Sequence, residues 1–191
     1  MVSLRQGSAS CAKNGPTNGT INAWGIDSGD AISDSFTVSP LYHSSIEDLS
    51  FVYWENTGNL LTTVDMSIGS TSFGGTPQTL TANTNTLLFT NEYGFGVYQA
   101  DFTFANIDWS GAGWLTLQNA CTTAGCQLSG GDTIYWDEND GPSLAWDRLS
   151  DTQIGSESFT LTGVAPEPSS LILFGSGILG LAGILRKKII G

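Results

Sequence analysis

Three groups of residues in this sequence have the types and spacing to do chemistry. Cys121 and Cys126 flank Thr-Thr-Ala-Gly. In an oxidising compartment such a pair closes a small hairpin disulfide, whereas a metal centre needs two further good ligands and the one histidine, His43, is remote in sequence. The spacing predicts a Cys121–Cys126 disulfide, worth about 2 kcal/mol at most for so short a ring, and leaves Cys11 without a mate. The run Asp132-Thr-Ile-Tyr-Trp-Asp-Glu-Asn-Asp-Gly-Pro142 gathers oxygen donors around an expected turn. Calcium needs about six to eight such oxygens, and Asp137, Asn139 and Asp140 are its candidate ligands here. The EF-hand spacing is absent, and solvated turn carboxylates are the commoner outcome. Third, six tryptophans are present. Trp109, Trp114 and Trp136 are the candidates for an exposed platform that stacks on sugar rings, against the plain alternative that aromatics on alternating strand positions fill a core.

Catalytic arrangements are harder to assemble. A glycosidase needs two carboxylates across a cleft, for which Glu47, Asp48, Glu55, Glu92 and Glu138 are available but show no closely spaced signature on one strand. A serine triad could use only His43, and no G-x-S-x-G elbow occurs. Metal-assisted hydrolysis fails for the same shortage of histidine. The expectation is a protein without enzymatic activity and without a cofactor, calcium being the alternative at the acidic run.

The elements that must position these residues read as strands. Tyr98, Ala100, Phe102 and Phe104 alternate with polar neighbours, as do Val64, Met66 and Ile68, and Leu49, Phe51 and Tyr53; Phe159 and Leu161 repeat the pattern. Shorter candidates lie at 32–38, 87–90, 114–119, 133–136 and 144–148. Between them stand turn sequences at 56–59, 74–77, 110–113 and 130–132, and 83–86 is expected to be an exposed turn. Many short strands at this spacing predict an all-β, jelly-roll-like β-sandwich. Residues 14–165 hold seventeen carboxylates against Arg148 alone. Nucleic acid, which is bound through Lys and Arg, is thereby excluded as a partner.

The last segment is of another kind. Residues 169–185, SSLILFGSGILGLAGIL, carry no charge, and at about 1.5 Å per helical residue they span most of a bilayer's hydrocarbon core. The predicted element is a single C-terminal transmembrane helix. Arg186, Lys187 and Lys188 follow it and, by the positive-inside rule, hold the C-terminus in the cytoplasm and place the domain in the periplasm. Pro166, Glu167 and Pro168 precede it, the prolines keeping that peptide extended. Met1 to Gly15 has no apolar region of export-signal length, so the expectation is an N-terminus that is incomplete as given.

Pro166-Glu167-Pro168, a glycine-punctuated apolar helix and Arg186-Lys187-Lys188, in that order, resemble the PEP-CTERM sorting signal of Gram-negative bacteria. The resemblance covers the tail only. It implies an exosortase as partner, with Pro166 to Pro168 as that enzyme's substrate, and transit from the inner membrane to the cell surface or extracellular space. The family context implies a role around exopolysaccharide and biofilm. The division expected is an irregular stretch at 1–19, a β-sandwich at 20–164 and a sorting and anchor segment at 165–191. An anchored carbohydrate-binding module, with a polysaccharide partner, is the competing reading.

Overall fold

The computed structural model describes residues 2–6, 22–38, 44–56, 58–126 and 133–164. The described residues are all-β, in fifteen strands: β1 (Val2–Gln6), β2 (Ala23–Gly25), β3 (Ala31–Val38), β4 (Ser44–Asn56), β5 (Leu61–Gly69), β6 (Gln78–Thr81), β7 (Thr84–Thr90), β8 (Phe95–Trp109), β9 (Gly111–Thr122), β10 (Gly125–Cys126), β11 (Tyr135–Asn139), β12 (Ala145–Asp147), β13 (Thr152–Ile154), β14 (Ser156–Glu157) and β15 (Phe159–Val164).

Two antiparallel sheets form. In one, β7, β8 and β4 lie side by side, and the far edge of β4 is divided: β15 and then β1 occupy its N-terminal part, while β11 and then β2 occupy its C-terminal part. The other sheet runs β13-β12-β3-β9-β5-β6, with β10 turned back on β9. The fork in the first sheet is closed at Ser158, whose carbonyl accepts the Val52 amide and whose amide donates to the Asp137 carbonyl.

The period-2 pattern explains the core. Leu49, Phe51 and Tyr53 of β4, Tyr98, Ala100 and Phe102 of β8, and Phe159 and Leu161 of β15 face Ile32 and Phe36 of β3, Val64 and Met66 of β5, and Leu115 and Leu117 of β9. All are buried, and their removal from water is the main force holding the sheets together. Phe51 stacks on Phe102, with Trp136 at its edge.

Each strand expected from alternation is present, and three local expectations are corrected. Val2–Gln6, expected to be irregular, forms β1 and pairs with β15; Val2 and Leu4 alternate with Ser3 and Arg5, a pattern that suits a short strand. Thr84 to Thr86, expected in a turn, open β7, because Asn85 works inside the fold, accepting the Tyr53 hydroxyl and donating to the Leu61 carbonyl. The turn expected at 110–113 is shorter: Ser110 alone separates β8 from β9, and Gly111 supplies the positive φ, 78°, that so tight a reversal needs.

Strand directions define two ends. β15 runs to Val164 beside Ser45 at the start of β4, and β8 ends there too, Trp109 opposite Ser44. This is the exit end, from which the chain continues into the tail.

Candidate functional site

β15 positions whatever follows Val164. It is hydrogen-bonded on both edges, to β4 along Phe159–Val164 and to β1 along Phe159–Gly163. Phe159 and Leu161 are anchored in the core. At Gly163 the register with β4 shifts, and the backbones come so close that a Cβ would run into the Ser45 carbonyl. Only Ala165 stands between the strand and Pro166. Pro166, Glu167, Pro168, the apolar run at 169–185, and Arg186, Lys187 and Lys188 lie outside the described residues, as do Cys11, His43 and Asp132.

Residues 164–187 match the family model of the PEP-CTERM protein-sorting motif. The tail thus carries a protein-sorting motif, which implies an exosortase as processing partner and membrane-associated sorting to the cell surface. The match begins on the last residue of β15. No curated protein matches the chain.

The predicted disulfide is present. Cys121 on β9 and Cys126 on β10 are directly paired across the hairpin, with a Cα–Cα distance of 4.3 Å, just under the usual span of a disulfide.

The acidic run is disposed differently from the expectation. Asp137 and Asn139 belong to β11 rather than to a turn; two residues apart, they share a side of the strand, but each is engaged by other protein groups. Asp137 accepts the Trp54 indole N–H at 2.6 Å, and Glu138 accepts that of Trp24 at 3.0 Å. Asn139 is buried, donating to the Glu157 carbonyl and accepting the Gly141 amide. Asp140 is exposed beyond the strand. Among the described residues no three His, Cys, Asp or Glu side chains are grouped to hold a metal.

The three candidate tryptophans form no common platform. Trp136 is fully buried, its ring against Phe51 and Phe159 and its indole N–H on the Ser158 carbonyl at 3.1 Å; it is core, because its even-numbered position on β11 faces the opposite sheet. Trp109 packs on Phe36, and a Cβ at Gly113 would meet both rings at 2.6 Å. Trp114, one residue on from Gly113, therefore projects from the other face of β9.

A buried polar cluster escaped the sequence reading. Asp34 on β3 accepts the Glu157 amide of β14 at 2.7 Å and the Ser143 hydroxyl at 3.0 Å, and Ser143 in turn bonds Ser156. This ties one sheet to the other. Burial pushes the Asp34 carboxyl up to about 6, although the hydrogen bonds it accepts pull the other way. Asp27, also buried, is raised to about 6 by burial first and by the neighbouring Asp30 carboxylate second. The signal for Asp34 was in the sequence: it shares the phase of Ile32, Phe36 and Val38, so alternation points it inward.

Proposed function

We propose that this chain is a non-enzymatic, exported β-sandwich protein, delivered to the cell surface through its tail. In this reading 169–185 is a single transmembrane helix, Arg186 to Lys188 stay in the cytoplasm, and the sandwich stands in the periplasm until an exosortase acts at Pro166 to Pro168. The strand order, with the chain crossing repeatedly between the two sheets, supports a jelly-roll-like topology. The Cys121–Cys126 disulfide supports residence in an oxidising compartment. A structural role in an exopolysaccharide-rich surface layer is the biological setting that goes with this delivery route.

The observation that carries the reading is the sorting-motif match at 164–187. The test is expression of the full chain and of Glu167→Ala in a host that has an exosortase, following size and location. Loss of the released form in Glu167→Ala is expected; an unchanged pattern would reduce the tail to a plain anchor.

The competing glycan-binding reading gains a better surface than the three tryptophans first considered. Trp54, Val52 and Val97 form a second apolar cluster with partly exposed Phe95, Phe89 and Tyr135 around it, on the outer face of the β4–β8 sheet. A glycan array on the oxidised domain discriminates: specific binding that falls in Tyr135→Ala supports a binding module, and none supports a structural protein.

A further inference from the structure

The sorting motif meets the fold without a spacer. Its match starts at Val164, a residue paired to Ser45, with Gly163 wedged against the β4 backbone and Leu161 buried in the core. A protease that reads an extended peptide does so largely by pairing with its backbone along a free edge. β15 offers none through Gly163, since β1 and β4 fill both sides. Freeing Leu161 to Val164 would break ladders on both edges and expose Leu161 to water, a combined loss far larger than one exposed contact. Downstream, the apolar run begins at Ser169, five residues from Val164, or about 17 Å fully extended. The sandwich must therefore stand with its exit end against the enzyme and the bilayer surface.

We infer that the folded sandwich sets the upstream boundary of what the sorting enzyme reads: recognition and cleavage are confined to Ala165 and the residues after it, and proceed with β15 still zipped between β1 and β4. The inference rests on the sorting reading above. Among the residues this leaves to the enzyme, Pro166 and Pro168 have no backbone N–H, so it must read Glu167 and the shape of the peptide rather than a regular ladder.

The test uses the full chain, carrying Cys11→Ser, in a host with the enzyme. Thr162 and Asp48 are direct cross-strand partners, so Thr162→Cys with Asp48→Cys staples β15 to β4; Thr160→Cys with Ser50→Cys, also partners, is the second staple in case the first perturbs folding. Release of the stapled chains within about twofold of the parent, with the new C-terminus at Ala165 or later by mass analysis, is the expected result. Release slowed more than tenfold in both well-folded staples, or a C-terminus upstream of Ala165, overturns the inference. Glu167→Ala separates the two levels: if it is released normally, the sorting reading falls and takes this inference with it, whereas blocked Glu167→Ala with blocked staples removes the inference alone.

Discussion

Asp34 is the residue whose chemistry departs furthest from its position on paper. A carboxyl enclosed between two sheets favours its neutral form, because desolvation penalises charge more than the Glu157 and Ser143 hydrogen bonds repay. With the folded value raised to about 6 from 3.8, the folded chain binds the proton more tightly than the unfolded one. Stability contributed at Asp34 is therefore highest in acid, falls as pH rises from about 4 to about 6, and stays reduced above that, by on the order of 2–3 kcal/mol. Asp34→Asn removes the titration while keeping an acceptor for Ser143 and the Glu157 amide. Thermal melts at pH 4.5 and 7.5 should show a smaller pH difference in Asp34→Asn than in the parent, part of the slope remaining with Asp27, which is shifted the same way. An unchanged difference would mean that Asp34 is not the titrating group. Asp101 has the opposite sign: burial raises it, but hydrogen bonds from Ser50, Thr84 and Gln99 outweigh that and hold it low, so its contribution is present above the ordinary carboxylate range and lost in acid. Trp136 is the second residue whose role follows from burial. Trp136→Ala should cost about 3–5 kcal/mol by opening a cavity beneath Phe51 and Phe159 and leaving the Ser158 carbonyl without its indole donor, measured by denaturant unfolding.

At the level of elements, alternation located the long strands because a half-buried sheet face imposes a period of two that few turn sequences imitate. What it could not locate were elements defined by partners far away in sequence. β1 exists because β15 presents a second edge, and the strand expected at 133–136 continues through Asp137 to Asn139 because β2 and β14 flank that half of β11, although its acidic sequence reads as a turn. The disulfide was legible, since two cysteines so close can be bridged by one hairpin; reducing it, or Cys121→Ser with Cys126→Ser, should lower stability by about 2 kcal/mol or less, a shift of a few °C in Tm by calorimetry. Gly163 was not legible, because nothing local announces that a backbone from β4 will lie where its side chain would be. Gly163→Ala should destabilise by more than the usual fraction of a kcal/mol for this exchange, about 2 kcal/mol or above, since the obstructing atom is backbone and cannot change rotamer. A melt within 1 °C of the parent would show that β4 gives way there.

The whole molecule divides into a part that folds and a part that is read. The tail declared its delivery role in the sequence because charge, apolarity and proline rigidity act locally, over a few residues at a time. The sandwich declared its class but not its activity: the candidate calcium ligands Asp137 and Asn139 are taken up by Trp54, Glu157 and Gly141, and the candidate glycan platform is split between buried Trp136, Trp109 against Phe36, and Trp114 on the other sheet, arrangements fixed only by tertiary pairing. The described fold ends where the sorting motif begins, at Val164, and that coincidence has a thermodynamic consequence. Among the described residues every member of the core cluster lies at or before Leu161, and the β15 ladder runs to Val164. A chain ending at Ala165 should unfold with the same cooperativity as the full chain and within about 0.5 kcal/mol of it in denaturant titrations. A chain ending at Leu161 removes Thr162, Gly163 and Val164 from between Ser45 and the N-terminal residues of β1, strips backbone bonds from two ladders at once, and bares the edge of Leu161; a loss of several kcal/mol is expected. Equal stability of the two truncations would place the end of the fold before Thr162 and lengthen the peptide open to the sorting enzyme by three residues.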